Sequence, residues 1–277
     1  MVEANGVELC TEAFGEPGDP PILLIMGIGA SMLWWEEGFC RMLAGRRRFV
    51  IRYDHRDTGR STTYPPGRPG YTGVDLARDA AGVLDGHELP AAHVVGVSAG
   101  GALAQLLALG FPDRVLSLAL ISTSSAKPLD GRLPPPTDRY RRWVEAARVD
   151  WSDEASVVEY LVEYARVLTG GERPFPEAAA RELVRADVAR ARDIAAAENH
   201  GIAPEGDVWP DPLSSITAPT LVIHGTADPM FPPEHGEALA AEIPGASLLL
   251  LPGAGHGVER ADWETIADAI ASHTSAA

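Results

Sequence analysis

Short apolar runs punctuate this chain, and a stretch with helical spacing follows most of them. Pro20-Pro21 introduces Ile22-Leu23-Leu24-Ile25-Met26, and similar runs stand at Phe49 to Tyr53, His93 to Val97, Val115 to Ile121, Thr220 to His224 and Ser247 to Leu251. Each is too short for a helix and most are rich in branched side chains, so the pattern predicts strands, with Ile22 to Met26 buried on both faces. Val7 to Phe14 alternates instead, which predicts one further, half-exposed strand. Helical periodicity is expected over Met32 to Leu43, Val74 to Leu84, Ala102 to Leu109, Pro233 to Glu242 and Trp263 to Ser272. Strand, loop and helix in alternation predict an α/β fold, a mostly parallel, doubly wound sheet with helices on both faces.

The alternation stops after Ser122. Pro134-Pro135-Pro136 breaks the chain, and charged amphipathic stretches follow at Asp138 to Val149, Asp153 to Leu168 and Glu177 to Glu198, with no strand among them. Asp207 to Pro212 closes this region before the strands resume. The expected organisation is a core in two parts, 1–124 and 213–277, with a helical cap insertion at 125–212 lying over the carboxyl edge of the sheet.

Composition narrows the partners. A chain of 277 residues with 45% hydrophobic side chains can bury one large core. Its formal charge of −16 disfavours nucleic acid and anionic membrane as partners, because both repel an acidic surface. Cys10 and Cys40 have neither the number nor the spacing of a disulfide scaffold or zinc site, and fit buried thiols in a reducing compartment. The first residues lack the basic and apolar regions of a signal peptide, and no apolar run reaches the roughly 20 residues of a membrane helix. A cytoplasmic protein acting on a small molecule is expected.

Candidate chemistry centres on His93-Val94-Val95-Gly96-Val97-Ser98-Ala99-Gly100-Gly101, where an apolar strand runs into a serine between glycines and a helix leaves it. That is the strand-turn-helix of a nucleophile elbow, and Ser98 is the candidate nucleophile. A hydroxyl needs a base and the base an orienting acid, here expected in the chain order serine, acid, histidine. Of the downstream histidines only His256 stands in a glycine-lined loop after a buried strand; Asp228, in Gly225-Thr226-Ala227-Asp228-Pro229, supplies the acid. The strand ending at Ile121 offers no rival, since Ser122 to Ser125 contains no carboxylate. His224 is expected to be structural, His235 and His273 to sit on surface helices, and His200 to have a surface role in the cap. Backbone N–H groups of Ala99 and of Ile28, between Gly27 and Gly29, are the candidate oxyanion donors. No cofactor and no metal site is expected: Asp54, His55 and Asp57 are too close in sequence to converge on an ion, and Gly27-Ile28-Gly29 lacks the third glycine of a dinucleotide loop.

With these residues in place the chain resembles the α/β-hydrolase family along essentially its whole length. Tyr53-Asp54-His55-Arg56-Asp57-Thr58-Gly59-Arg60-Ser61 is similar to the family's Asp-x-Arg-Gly-x-Gly-x-Ser loop, with Asp57 where glycine is usual. That loop, the Ala92 to Ser98 segment and Ala218 to Ile223 resemble the anthracycline methylesterase group in particular. The resemblance implies a serine hydrolase cleaving a carboxylic ester, with the methyl ester of a polyketide as the specialised substrate. The charged residues Asp54, Arg56, Asp57 and Arg60 are expected to pair and hold their loop beside the site. Substrate is expected to meet Gly27, Trp34 and Trp143, with Trp35, Trp151 and Trp209 as further candidates to line the pocket. Ser98 disfavours family members with an aspartate nucleophile. A general carboxylesterase, an enol-lactonase, a carbon-carbon hydrolase, an iminopeptidase or a low-turnover binding protein remain alternatives.

Overall fold

The computed structural model describes residues 1–127, 129 and 133–276, so a few positions near the start of the expected cap lie outside the described residues. A two-stranded ribbon, β1 (Val2–Ala4) and β2 (Val7–Leu9), precedes the main sheet. The main sheet then takes β3 (Thr11–Phe14) and β4 (Pro21–Ile25); a short turn of 3-10 helix leads to α1 (Glu37–Ala44), then β5 (Phe49–Tyr53) and α2 (Gly73–Gly86). It continues through β6 (Ala92–Val97), α3 (Ala99–Gly110) and β7 (Val115–Ile121). Four helices are inserted next, α4 (Asp138–Ala146), α5 (Glu154–Leu168), α6 (Glu177–Arg190) and α7 (Asn199–Ile202). The closing elements are β8 (Thr220–Gly225), α8 (Glu234–Glu242), β9 (Ser247–Leu251) and α9 (Trp263–Ala276).

The seven-stranded sheet has the order β3-β5-β4-β6-β7-β8-β9, antiparallel only where β3 meets β5. One face packs on α2 and α3 through Leu23, Val94, Leu103 and Leu107, the other on α1 and α9 through Ile22, Val95, Phe39 and Ile266. Both faces are therefore apolar, which is why the strands read as continuous hydrophobic runs. From β4 the chain winds first to β5 and then back to β6 on the opposite side, so the sheet reverses direction between β4 and β6. Loops leaving the carboxyl ends of these two strands diverge and open a crevice, the usual ligand position in an open α/β sheet.

Two expectations are corrected by local chemistry. Val7 to Phe14 is not one strand: it breaks at Cys10, whose N–H goes to Ser61 Oγ, and its halves join different sheets. The helix expected over Glu177 to Glu198 ends at Arg190, because Ala191 turns extended and Arg192 N–H bonds the Gly59 carbonyl. The chain then resumes as Ile194–Glu198 and α7, redirected toward the core.

Candidate active site

Ser98 has the left-handed φ of 55° with ψ of −126°, a conformation that a serine holds only when its surroundings impose it. Its N–H bonds Ile121 O at 3.0 Å and its carbonyl accepts Thr123 Oγ1 at 2.6 Å, so the turn is fixed from β7 on both sides. The flanking glycines are required by contact: a Cβ on Gly96 would overlap the Gly100 carbonyl, and one on Gly100 would overlap Ile25 O. Close packing thus delivers Ser98 to the amino end of α3, where the helix dipole favours developing negative charge.

Asp228 and His256 are brought together at the ends of the next strands. β8 and β9 finish in register at Gly225 and Leu251, and the loops beyond them meet through Ala227 N–H to Ala254 O at 2.9 Å. Asp228 Oδ2 lies 2.8 Å from His256 Nδ1, while its Oδ1 accepts the N–H groups of Met230 and Phe231, each at 2.9 Å. Burial works to raise this carboxyl, but the facing His256, the Phe231 N–H and nearby His224 outweigh it and hold it below its ordinary range. The ionised aspartate fixes the proton on Nδ1, leaving Nε2 as the basic nitrogen. His256 is held by its own N–H to Leu168 O at 2.7 Å, and Gly257 N–H reaches Ser122 Oγ at 3.2 Å. Since Ser98 bonds Ile121 and Gly257 bonds Ser122, consecutive residues of one strand end carry both groups. Ser98 Oγ makes no hydrogen bond within the described residues, a common state before substrate tightens such contacts.

The loop after β4 faces the elbow because Ile25 pairs with Gly96 across the sheet. A Cβ on Gly27 would stand 3.2 Å from Ser98 Cβ and 3.7 Å from its Oγ. Ile28 is 44% exposed, and its N–H, like that of Ala99, has no acceptor among the described residues. The Gly29 N–H is taken by His200 Nδ1 at 3.0 Å. His200 is therefore no surface residue: it reaches from the inserted helices to this loop, and its Nε2–H donates to Arg56 O at 2.7 Å. Beneath the loop, fully buried His55 donates from Nε2 to Met26 O at 3.0 Å, and burial, helped by nearby His200, pushes it down to about 3.

The charged side chains of the loop of residues 54–60 pair with groups outside it rather than with one another. Asp54 pairs with Arg190 of α6 at 2.7 Å, Arg56 with Asp79 of α2 at 2.7 Å, and Arg60 contributes its backbone N–H to Asp54. Asp57, at φ 65°, accepts from Tyr64 N–H, Tyr71 hydroxyl and the Asn199 side chain. His235 is also corrected: it is buried, between Ser124 Oγ at 2.7 Å and Pro134 O at 2.9 Å. His224 is buried in β8 with Nε2 on Phe231 O at 2.8 Å, in the structural role expected of it. Among the described residues no group of three or more His, Cys, Asp or Glu is arranged to hold a metal, and no helix is long and apolar enough to cross a membrane.

The tryptophans separate into distinct groups. Trp143 stacks on Tyr164 with centroids 5.2 Å apart and lies 5.4 Å from Tyr160, and Trp151 lies 6.0 Å from Tyr160. The helix that carries Tyr140 and Trp143 starts beside the Asp228 loop, where Thr137 N–H bonds Pro229 O at 2.8 Å; burial raises the Tyr140 hydroxyl, Tyr164 pulls the other way, and the Asp228 charge adds to the rise. Trp34 donates from Nε1 to Asp187 Oδ2 at 2.8 Å and packs at the joint between the core and the inserted helices. Trp35 is fully buried against Phe39, which removes it from any pocket. Trp209 covers Gly110, at the far end of α3 and therefore about 18 Å from Ser98 along the helix. The signal for His200, Asn199 and Tyr140 was absent from the sequence, where each is one polar residue in an amphipathic stretch.

Comparison with known proteins identifies the family of the fold. Residues 20–258 match a family described as alpha/beta hydrolase fold. The chain is 36% identical over 301 residues to the rhodomycin D methylesterase DauP of Streptomyces sp. (strain C5), covering 100% of this chain and 98% of the relative. DnrP of Streptomyces peucetius, also a rhodomycin D methylesterase, matches with the same identity and coverage. Among solved structures, the enol-lactonase from Burkholderia xenovorans LB400 superposes with a TM-score of 0.75 at 25% identity, over 98% of both chains.

Proposed function

The chain belongs to the α/β-hydrolase family, and on that premise we propose that it is a cofactor-free serine esterase whose triad is Ser98, His256 and Asp228. One observation carries the reading: a strained serine at a helix start and the loop of a hydrogen-bonded Asp228–His256 pair are both anchored on the end of β7, through Ile121 and Ser122. Ser98 Oγ attacks the ester carbonyl carbon as its proton passes to His256 Nε2, and the imidazolium that forms is stabilised by Asp228. The carbonyl oxygen, now an oxyanion, is held by the Ile28 and Ala99 N–H groups. Collapse expels the alcohol with the proton from His256, leaving an acyl-Ser98. Water then gives a proton to His256 as it attacks the acyl carbon, and Ser98 recovers that proton as the acid leaves.

The substrate class proposed is the methyl ester of an aromatic polyketide, with methanol as the leaving alcohol. Full-length similarity to two methylesterases supports it. So does the aromatic cluster on the inserted helices, where Trp143 packs against Tyr160 and Tyr164: rings of this kind suit a fused ring system. A hydrolysis screen pairing short-chain aryl esters with aromatic polyketide methyl esters tests this. The expected result is higher kcat/KM on the polyketide esters, abolished in Ser98→Ala. Turnover confined to the simple esters would overturn the specialised substrate, and unchanged turnover by Ser98→Ala would overturn the nucleophile.

A further inference from the structure

The loop that offers the Ile28 N–H has little of its own to hold it in place. Gly27 and Gly29 flank the donor, Gly29 at φ 71°, and the side chain of Ile28 is exposed. The loop is braced instead by two imidazoles, from different parts of the chain, one on each side of the donor. His55 bonds the carbonyl of Met26, and His200 accepts the N–H of Gly29; the rings meet edge to face with centroids 5.8 Å apart. His200 is fixed in turn. Its Nε2–H is committed to Arg56 O, so Nδ1 carries the lone pair that Gly29 requires. Its neighbour Asn199 donates to Asp57 Oδ2 at 2.9 Å and accepts Gly67 N–H at 2.7 Å. Asp57 stands where the resembled loop pattern carries glycine, in the left-handed conformation that suits glycine, and its carboxylate makes the contact that a glycine could not.

We propose that His200 is a positioning residue that holds the oxyanion loop in its working geometry, and that Asp57 keeps it there through Asn199. The inference rests on the esterase reading above and adds a requirement to it: the inserted helices complete the oxyanion site from outside the core. His200 also removes the Gly29 N–H from competition, so that the Ile28 N–H is the loop amide left to meet the developing charge. Displacing a donor by a fraction of its bond length weakens transition-state binding far more than ground-state binding, so the effect falls on kcat.

The test compares His200→Ala, His200→Asn, His200→Gln, Asp57→Asn and Ser98→Ala with the unmodified full chain, on an aryl acetate and with a trifluoromethyl ketone that forms an oxyanion on the serine. Asparagine places an oxygen where Nδ1 stands and keeps the Gly29 bond, whereas glutamine reaches only the Nε2 position and keeps the Arg56 bond. His200→Ala and His200→Gln are expected to lose about 10- to 100-fold in kcat with KM changed less than about threefold, and to lose ketone affinity in parallel. His200→Asn is expected to stay within about threefold of the unmodified chain. Asp57→Asn keeps the acceptor for Tyr64 but turns a donor toward Asn199, and is expected to lose about three- to tenfold in kcat. Equal activity of the Asn and Gln variants, or full kcat in His200→Ala, would overturn the role of His200; unchanged kcat in Asp57→Asn would overturn that of Asp57. If His200→Ala does not fold, the Asn and Gln pair decides the matter. An inactive Ser98→Ala beside a flat His200 series removes this inference alone, whereas an active Ser98→Ala removes the esterase reading itself.

Discussion

Replacing Asp228 by asparagine separates the chemistry of the Asp228–His256 contact from its structural part. Asparagine is nearly isosteric, and its oxygen can still accept the Met230 and Phe231 N–H groups at the positions now 2.9 Å away. Its amide nitrogen then faces His256 Nδ1, where an oxygen stood at 2.8 Å. Two donors cannot share that contact, so His256 must move its proton to Nε2 and present no lone pair to Ser98. In the serine-protease triad, which the handful of shared roles makes the right comparison, this wrong tautomer lowers kcat by about ten thousandfold, or about 5 kcal/mol of transition-state stabilisation. The expectation here is a loss of the same order in kcat for ester hydrolysis, with KM and melting temperature close to those of the unmodified chain. Asp228→Ala supplies the contrast: it abolishes the same orienting bond but also strands the Met230 and Phe231 donors, at about 1–3 kcal/mol each where they are cut off from water. It should therefore melt at a lower temperature than Asp228→Asn while being comparably inactive. Steady-state kinetics and thermal melts on both variants are the assay. An Asp228→Asn enzyme within tenfold of full kcat, or one inactive only because it is unfolded, would refute the assignment of Asp228 as the orienting acid.

Three further outcomes follow from the geometry. Gly100→Ala sets a methyl against Ile25 O and 2.5 Å from Met26 O, both backbone atoms, so a destabilisation of about 3 kcal/mol or more is expected in chemical denaturation; a variant as stable as the parent would contradict the close packing of elbow and sheet. Arg190→Met removes the partner of Asp54, whose side chain is wholly buried and whose carboxyl is already raised by burial, and is expected to cost about 3–5 kcal/mol; a loss under about 1 kcal/mol would show that the ion pair does not join α6 to the core. Burial holds neutral both His55, pushed down to about 3, and His93, pushed down to about 4 with help from Arg48 and His273. The unfolded chain takes up these protons below its ordinary 6.5 while the folded chain does not, so stability should fall as pH drops from 6.5 toward 4. Thermal melts across that range check the sign, and His93→Gln should flatten the slope; a melting temperature that rises on acidification would refute it.

The sequence by itself determined the layered fold and the order of its candidate site residues. Strands buried on both faces must be apolar throughout, and a serine in a crowded turn must be flanked by glycine, so β4 to β8 and the Ser98 elbow are written in residue type alone, whereas β9, at the sheet edge, leaves Leu248 and Leu250 exposed. Asp228 and His256 were legible for a related reason: each follows a recognisable strand, and parallel strands deliver their carboxyl ends to one edge. The tertiary structure alone decided which polar residues meet across that edge. Asp54 chose Arg190 at a separation of 136 residues, Asp57 chose Asn199, and His200 left the expected surface to hold Gly29 across 171 residues. Periodicity records which way a side chain faces its own element, whereas a hydrogen bond between the inserted helices and the core depends on how two elements are docked. That docking is set by the break after Arg190 and by shape-matched apolar packing, neither of which leaves a local mark at the residues it brings together.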